Sequence, residues 1–398
     1  MNRRVFCSSL IGAPAALAAP TKSKRASITS SVSPSSAKPH KLLFAASSLH
    51  DLYINMDRRD WSRLTENVLA NDYYPASLSW NGTSAPEIRL RARGRQSRDA
   101  RKPSLRVDLK AGGKKSPIPK VHGFVLNNLA GDATCLHDWL ALKLFRKAGV
   151  ATPRRSFARV FVNNQYYGVY SLGEEVDEHF LQRHFREHKG HLYQYHSAPG
   201  TTHESASAGQ GLKAVNHRKA QKPERNATIL SGLRTGKLAA LGGHKNAPPD
   251  VRHLATVLAV ESFCDDRQGF LSESGPDGLY YYSARKPPMA HVIPWGRNDA
   301  FLAWQRPLFH QVDLSPVAQR LLAQDYAREV YHETIAELAA LGGSNAWLEQ
   351  KILDRASALR GAVLEDPYRS QTRASFDDAI QELLVFALRR GDHLKSQL

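Results

Sequence analysis

The chain has 398 residues, 42% of them hydrophobic, which is enough for a large core and argues against wholesale disorder. Lys and Arg number 55 against 37 Asp and Glu, a formal charge of +18 that directs attention to acidic or phosphate-bearing partners. The three cysteines, Cys7, Cys135 and Cys264, are too few and too widely spaced for a disulfide framework or a paired-cysteine zinc or iron–sulfur site.

At the N-terminus Met1-Asn2-Arg3-Arg4-Val5-Phe6 precedes a short apolar stretch and the A-x-A pattern Ala16-Leu17-Ala18. Residues 1–18 therefore read as a cleavable, twin-arginine-like signal, with export to the periplasm or cell surface as the expectation. The stretch is too short to span a bilayer, and no later stretch comes closer. Whether Cys135 and Cys264 pair after export is open. Residues 19–41 are rich in Ser, Lys, Pro and Thr, read as a flexible linker, and put the start of the folded body near Leu42.

Ile88 to Arg95 alternates, with Ile88, Leu90 and Ala92 on one face and Arg89, Arg91, Arg93 and Arg95 on the other, as a half-buried strand requires. Ser104 to Leu109 continues in that style. A helix is expected from Leu136 to Ala148, ending at Gly149. Phe157–Val162 and Tyr166–Leu172, separated by Asn163-Asn164-Gln165, read as a β-hairpin. His179, His184 and His188 fall on an expected helix from Asp177, the last two at i, i+4. Without an HExxH motif, and with Phe180, Leu181 and Phe185 as its packed face, that pair reads as structural or solvated rather than metal-binding.

Residues 196–249 are polar and Gly-rich, a loop-rich connection with short helices near Ala227 to Leu241. Beyond it the pattern is mostly helical: Pro249/Asp250 to Cys264, a helix capped by Ser315-Pro316, then about Asp325–Leu341, Asn345–Leu364 and Phe376–Leu394. A sheet-bearing N-terminal part (42–195) and a helix-rich C-terminal part (250–398) make an α+β pattern.

Several stretches in order resemble one family. They are Arg91-Ala92-Arg93-Gly94 with Ser97 and Lys102-Pro103-Ser104-Leu105-Arg106-Val107-Asp108; Phe124-Val125-Leu126-Asn127-Asn128-Leu129 with Asp132; and the run from Gly149-Val150 through Tyr167-Gly168-Val169-Tyr170 and Glu174-Glu175-Val176-Asp177 to Gly190-His191-Leu192-Tyr193. Val260-Glu261 to Phe270 and Ile293-Pro294-Trp295 to Phe301 continue the match. Together these resemble the CotH-kinase family of spore-coat-protein-like, atypical secreted-type protein kinases. The resemblance implies a protein-kinase-like fold of two lobes, with ATP and Mg²⁺ as cofactors and a protein substrate.

Phosphoryl transfer requires a lysine on the nucleotide phosphates, a carboxylate that orients it, an aspartate near the acceptor hydroxyl, and oxygens for Mg²⁺. By resemblance Lys102 is the phosphate-directed lysine and Glu174 its carboxylate; ordinary surface and helix-dipole roles are the alternatives. The second part departs from the family pattern. Gln268 of Arg267-Gln268-Gly269-Phe270 stands where the catalytic aspartate belongs, and Asp277-Gly278-Leu279-Tyr280 replaces an Asn-bearing metal segment. In Pro294-Trp295-Gly296-Arg297-Asn298-Asp299, Asn298 falls on the metal-binding aspartate, and Arg297 beside it opposes a divalent cation.

Three readings follow. The first is an exported protein with a degenerate phosphotransfer site and a binding or surface-assembly role. The second is an active Mg-ATP kinase that uses the displaced acids Asp265, Asp266 or Asp299. The third is a polyanion-binding surface protein, for which the row Arg89, Arg91, Arg93 and Arg95 suits bidentate contact with phosphate, sulfate or carboxylate. Nucleic acid is disfavoured, since no helix-turn-helix, zinc-finger or RNP-like signature is present.

Overall fold

In chain order the elements are α1 (Pro39–Leu43), β1 (Leu49–Asn55), α2 (Arg58–Glu66), β2 (Tyr74–Trp80), β3 (Thr83–Ala92), β4 (Leu105–Asp108), β5 (Gly123–Asn127), α3 (His137–Lys147), β6 (Arg155–Val162) and β7 (Gln165–Glu174). They continue with α4 (Glu178–Phe185), β8 (His191–His196), β9 (Gly211–Ala214), α5 (Pro223–Thr235), α6 (Val251–Cys264), β10 (Leu279–Arg285), β11 (Pro288–Pro294), α7 (Pro316–Leu322), α8 (Asp325–Ala339), α9 (Trp347–Leu364) and α10 (Phe376–Lys395). This computed structural model describes residues 38–94, 98–113, 115–196, 211–217, 223–242, 248–272, 278–369 and 375–398, all within one unit, Lys38–Leu398. The expected signal and most of the expected linker lie outside the described residues, and α1 begins at Pro39, within the expected linker and ahead of Leu42.

Strands β1 to β7 close into a barrel in the order β1-β2-β3-β4-β5-β7-β6, sealed by parallel pairing of β6 with β1. Alternation drives it: Ile88, Leu90 and Ala92 of β3 point into the barrel core with Leu105, Val107, Leu126, Val160 and Tyr170. The expected hairpin is present as β6–β7, joined at Asn163 and Asn164 with φ of 50° and 66°. Left-handed backbone at both turn residues is what a two-residue hairpin turn demands, and Asn tolerates it.

The C-terminal helices follow the expected segments, with Asp250, Ser315 and Ser375 as side-chain N-caps. They enclose the largest apolar core together with α3. Among the described residues no helix is long and apolar enough to cross a membrane.

The mostly helical expectation for residues beyond 250 holds, and the structure adds the strands β10 and β11 to it. A second sheet, β11-β10-β8-β9, runs through both parts of the chain and draws β9 from the expected loop-rich connection. In β10, every residue from Leu279 to Ala284 is buried, so the strand shows no alternation to read. This sheet packs Tyr280, Tyr282, Ile293 and Trp295 against Phe180 and Leu181 of α4. Helix α4 ends at Phe185, where Arg186 takes a left-handed φ of 54°, so His188 lies beyond it.

Candidate functional site

Two segments bring the second-part site residues together. After α6 the chain turns at Asp265, φ 47°, into Asp266–Phe270; after β11 it runs from Trp295 to Phe301. They are laced by Arg267 N donating to Asp299 O at 3.0 Å, Phe301 N to Cys264 O at 2.6 Å, and Asp299 N to Gln268 Oε1 at 3.2 Å. Asp265, Asp266, Gln268, Asn298 and Asp299 thus form one neighbourhood. Asp277 lies outside the described residues.

At its centre is Arg297, whose side chain is fully buried. Its Nη2 lies 3.2 Å from Glu261 Oε1 and its Nε 3.1 Å from Asp266 Oδ2, while its backbone N–H donates to Asp138 Oδ1 at 2.8 Å. Phe145 lies under the guanidinium at 5.6 Å. Burial pushes the Glu261 carboxyl up, to about 8, against the pull of Arg297, and burial raises Asp266 as well. Glu261 Oε2 also accepts from Phe270 N at 2.7 Å. Gly269 permits this approach, since a Cβ there would fall on the Glu261 carboxylate.

The other acids are also engaged. Asp265 accepts from Ala303 N at 2.9 Å and lies 3.7 Å from Arg306 Nε, with burial raising its pKa. Asp299 is exposed. Asn298 O lies 3.0 Å from His137 Nδ1, and its Oδ1 is buried without a hydrogen-bond partner. This donor set does not fit Mg²⁺ held as in a kinase. Of the two most buried carboxyl groups, Asp266 faces an internal guanidinium and Glu261 is pushed up to about 8 by burial, while a unit positive charge about 4 Å from that guanidinium is opposed by roughly 4 kcal/mol at an effective dielectric near 20.

Lys102 and Glu174 do not meet. The strand register gives the reason: Leu105 pairs with Leu126 and Leu126 with Leu172, whereas Glu174 pairs with Phe124 and Phe124 with Val107. Glu174 is therefore level with Val107, whereas Lys102 precedes β4 by three residues, beyond the Leu105 end of the strand. Lys102 Nζ instead lies 2.7 Å from Asp366 Oδ2 and 5.1 Å above the Tyr170 ring. Asp366, just past α9, also accepts from Val169 N at 2.8 Å and Tyr368 N at 2.9 Å. Glu174 binds Arg154 Nη2 and both Arg183 terminal nitrogens, each at 2.7 Å. Burial would raise its pKa, but these two arginines lower it overall.

The arginine row divides. Arg89 and Arg91 lie 5.0 and 5.5 Å over the Tyr73 ring, with Arg89 also paired to Asp108 and Arg91 Nη1 donating to Asn71 Oδ1 at 3.0 Å. Arg93 turns inward over Trp295, at 5.7 Å, where burial lowers its pKa to about 10. Arg95 lies outside the described residues. The same indole carries Arg155 at 4.4 Å, whose Nε donates to Asp138 Oδ2 at 2.6 Å. Asp138 thus joins the barrel, α3 and the Arg297 segment.

The family model described as CotH kinase protein matches residues 90–394. The chain belongs to this family. Inner spore coat protein H of Bacillus subtilis strain 168 is 22% identical over 370 residues, 88% of this chain and 97% of that one. Among solved structures, the CotH-family chain is similar to the HipA–HipB toxin–antitoxin complex of Shewanella oneidensis MR-1 with its operator DNA, at 10% identity and a TM-score of 0.34. That match covers 74% of this chain and 64% of that one, less than two thirds of its length. It is also similar to the proinflammatory kinase CtkA of Helicobacter pylori, at 8% identity and a TM-score of 0.27, over 74% and 95% of the two chains.

Four residues of this CotH-family site escaped the sequence reading: Glu261, Asp138, Arg155 and Asp366. Glu261 sits among apolar residues of α6, and a lone acid in an apolar helix was the signal available for it. Asp138 reads as an ordinary acidic first-turn residue of α3. Cys135 and Cys264 are both free thiols.

Proposed function

We propose that this CotH-family protein has a degenerate phosphotransfer site and acts, after export, as a binding or surface-assembly component. The observation that carries the reading is Arg297, a permanent internal cation lodged 3.1–3.2 Å from Asp266 and Glu261, in the segments the family uses for catalysis and metal binding. Gln268 at the aspartate position cannot act as a general base, and its Oε1 is already spent on Asp299 N. Lys102, tied to Asp366 in a buried pair, is withheld from a nucleotide phosphate unless that pair opens. The signal-like N-terminus supports export.

The test is radiolabel transfer from ATP with Mg²⁺, to the protein itself and to a general protein substrate, together with melting in ATP and Mg²⁺. The expected result is no transfer. Mg²⁺-dependent transfer abolished by both Lys102→Ala and Asp299→Ala would establish the active-kinase reading instead. A second reading, polyanion binding, is favoured by the Arg89 and Arg91 guanidinium groups stacked over Tyr73 at the barrel surface. A rise in melting temperature with heparin, lost in Arg89→Ala/Arg91→Ala, supports it.

A further inference from the structure

We propose that His122, Glu178 and His179 form a binding site for a zinc-class divalent cation, separate from the Arg297 cluster. His122 stands immediately before β5, and its backbone carbonyl accepts from Leu109 N at 2.9 Å, which anchors it to the barrel. Glu178 and His179 open α4. One ligand atom from each of the three residues lies within 4.8 Å of the others, and the two imidazole centroids are 4.7 Å apart.

The separation of His122 Nε2 from Glu178 Oε1 is 3.6 Å. That is too long for a hydrogen bond. It is close to the roughly 3.4 Å edge of a tetrahedron built from about 2.1 Å zinc–ligand bonds. The opposite ring nitrogen, Nδ1, faces Asp177 Oδ2, also at 3.6 Å. Asp177 is itself fixed as the N-cap of α4, accepting from His179 N at 2.9 Å and Phe180 N at 3.0 Å. At that distance Asp177 acts through its charge, which favours a cation on the far side of the ring, and not through a hydrogen bond.

Two imidazoles and one carboxylate select zinc-class ions over Mg²⁺ or Ca²⁺, which prefer all-oxygen sets. The positive end of α4 opposes a cation, and the two negative charges of Asp177 and Glu178 offset it. Three protein ligands leave a fourth position for water or a partner's side chain. The i, i+4 pair His184 and His188 is not part of this set, because His188 lies past the end of α4 and its Nδ1 contacts Gln182 Oε1 at 2.8 Å.

The experiment uses the tag-free full chain, stripped with chelator, titrated with Zn²⁺ by calorimetry and with Co²⁺ by visible absorption. One saturable equivalent is expected. Affinity should fall at least about tenfold in His122→Ala and in His179→Ala, and by a smaller factor in Asp177→Asn, which removes a nearby charge and no ligand. Asn caps a helix as well as Asp does, so Asp177→Asn tests the charge without unravelling α4. The double variant His184→Ala/His188→Ala should bind as the parent does. No saturable binding by the parent overturns the proposal, as does unchanged affinity in the folded His122→Ala/His179→Ala protein or an equal loss in His184→Ala/His188→Ala.

Discussion

Lys102 and Asp366 are 264 positions apart in sequence, yet their charged groups meet at 2.7 Å. Both side chains are at most 5% exposed, so the pair is a buried bolt between the barrel and the end of α9. Its partners are fixed too: Asn128 Nδ2 donates to Lys102 O at 2.7 Å, and Asp366 takes the Val169 and Tyr368 amides.

Removing one end should strand the other. Asp366→Ala is expected to lower stability by about 3–5 kcal/mol, whereas the apolar double variant Lys102→Met/Asp366→Leu should lose much less. Urea unfolding measures both. Single variants within about 0.5 kcal/mol of the parent would mean that the charges are not coupled.

Gly168 lies against the same bolt. Its φ is 99°, and a Cβ there would overlap the Asp366 carboxylate. Gly168→Ala should therefore be severely destabilising in the parent but cost only about 1–2 kcal/mol of backbone strain in an Asp366→Ala background. Equal costs in both backgrounds would show that the steric conflict is absent.

Glu261 predicts a pH dependence. Burial raises its carboxyl from 4.5 to about 8, so the folded state holds a proton that the unfolded state releases at lower pH. Its contribution to stability is complete below about 4.5 and is lost as pH rises towards 8. Subtracting the urea midpoints of Glu261→Gln from those of the parent between pH 5 and about 8 should reveal this fall, and Arg297→Met should steepen it. A flat difference would exclude a raised Glu261.

His291 acts with the opposite sign. Burial, then the neighbouring His253, lowers its pKa from 6.5 to about 4, where it stacks on Phe185 at 4.8 Å. The unfolded state gains the proton first, so this contribution is intact above 6.5 and is lost as pH falls to about 4. His291→Phe should flatten the acid limb of the stability profile by on the order of 2 kcal/mol. Thermal melting between pH 4 and about 7 checks it.

The elements legible in the sequence are those with a local signature. The hairpin at Asn163-Asn164, the arginine-bearing β3 and the helices capped by Asp250, Ser315 and Ser375 all follow from periodicity or end chemistry. Strand β10 does not, because burial on both faces erases alternation. Of the expected site residues, Gln268, Asn298 and Asp299 share a neighbourhood because their two segments are backbone-bonded to each other. Lys102 and Glu174 do not, because the sheet register separates them.

By itself the sequence determined the α+β pattern, most of the helices and the family, since side-chain periodicity, caps and ordered motifs act over a few residues. Only the tertiary structure decided which charge answers which. Lys102 takes Asp366, Glu174 takes Arg154 and Arg183, and Arg297 sits between Glu261 and Asp266. Burying a charge is costly unless a partner is at hand, and the partner at hand is set by strand register and helix packing across hundreds of residues.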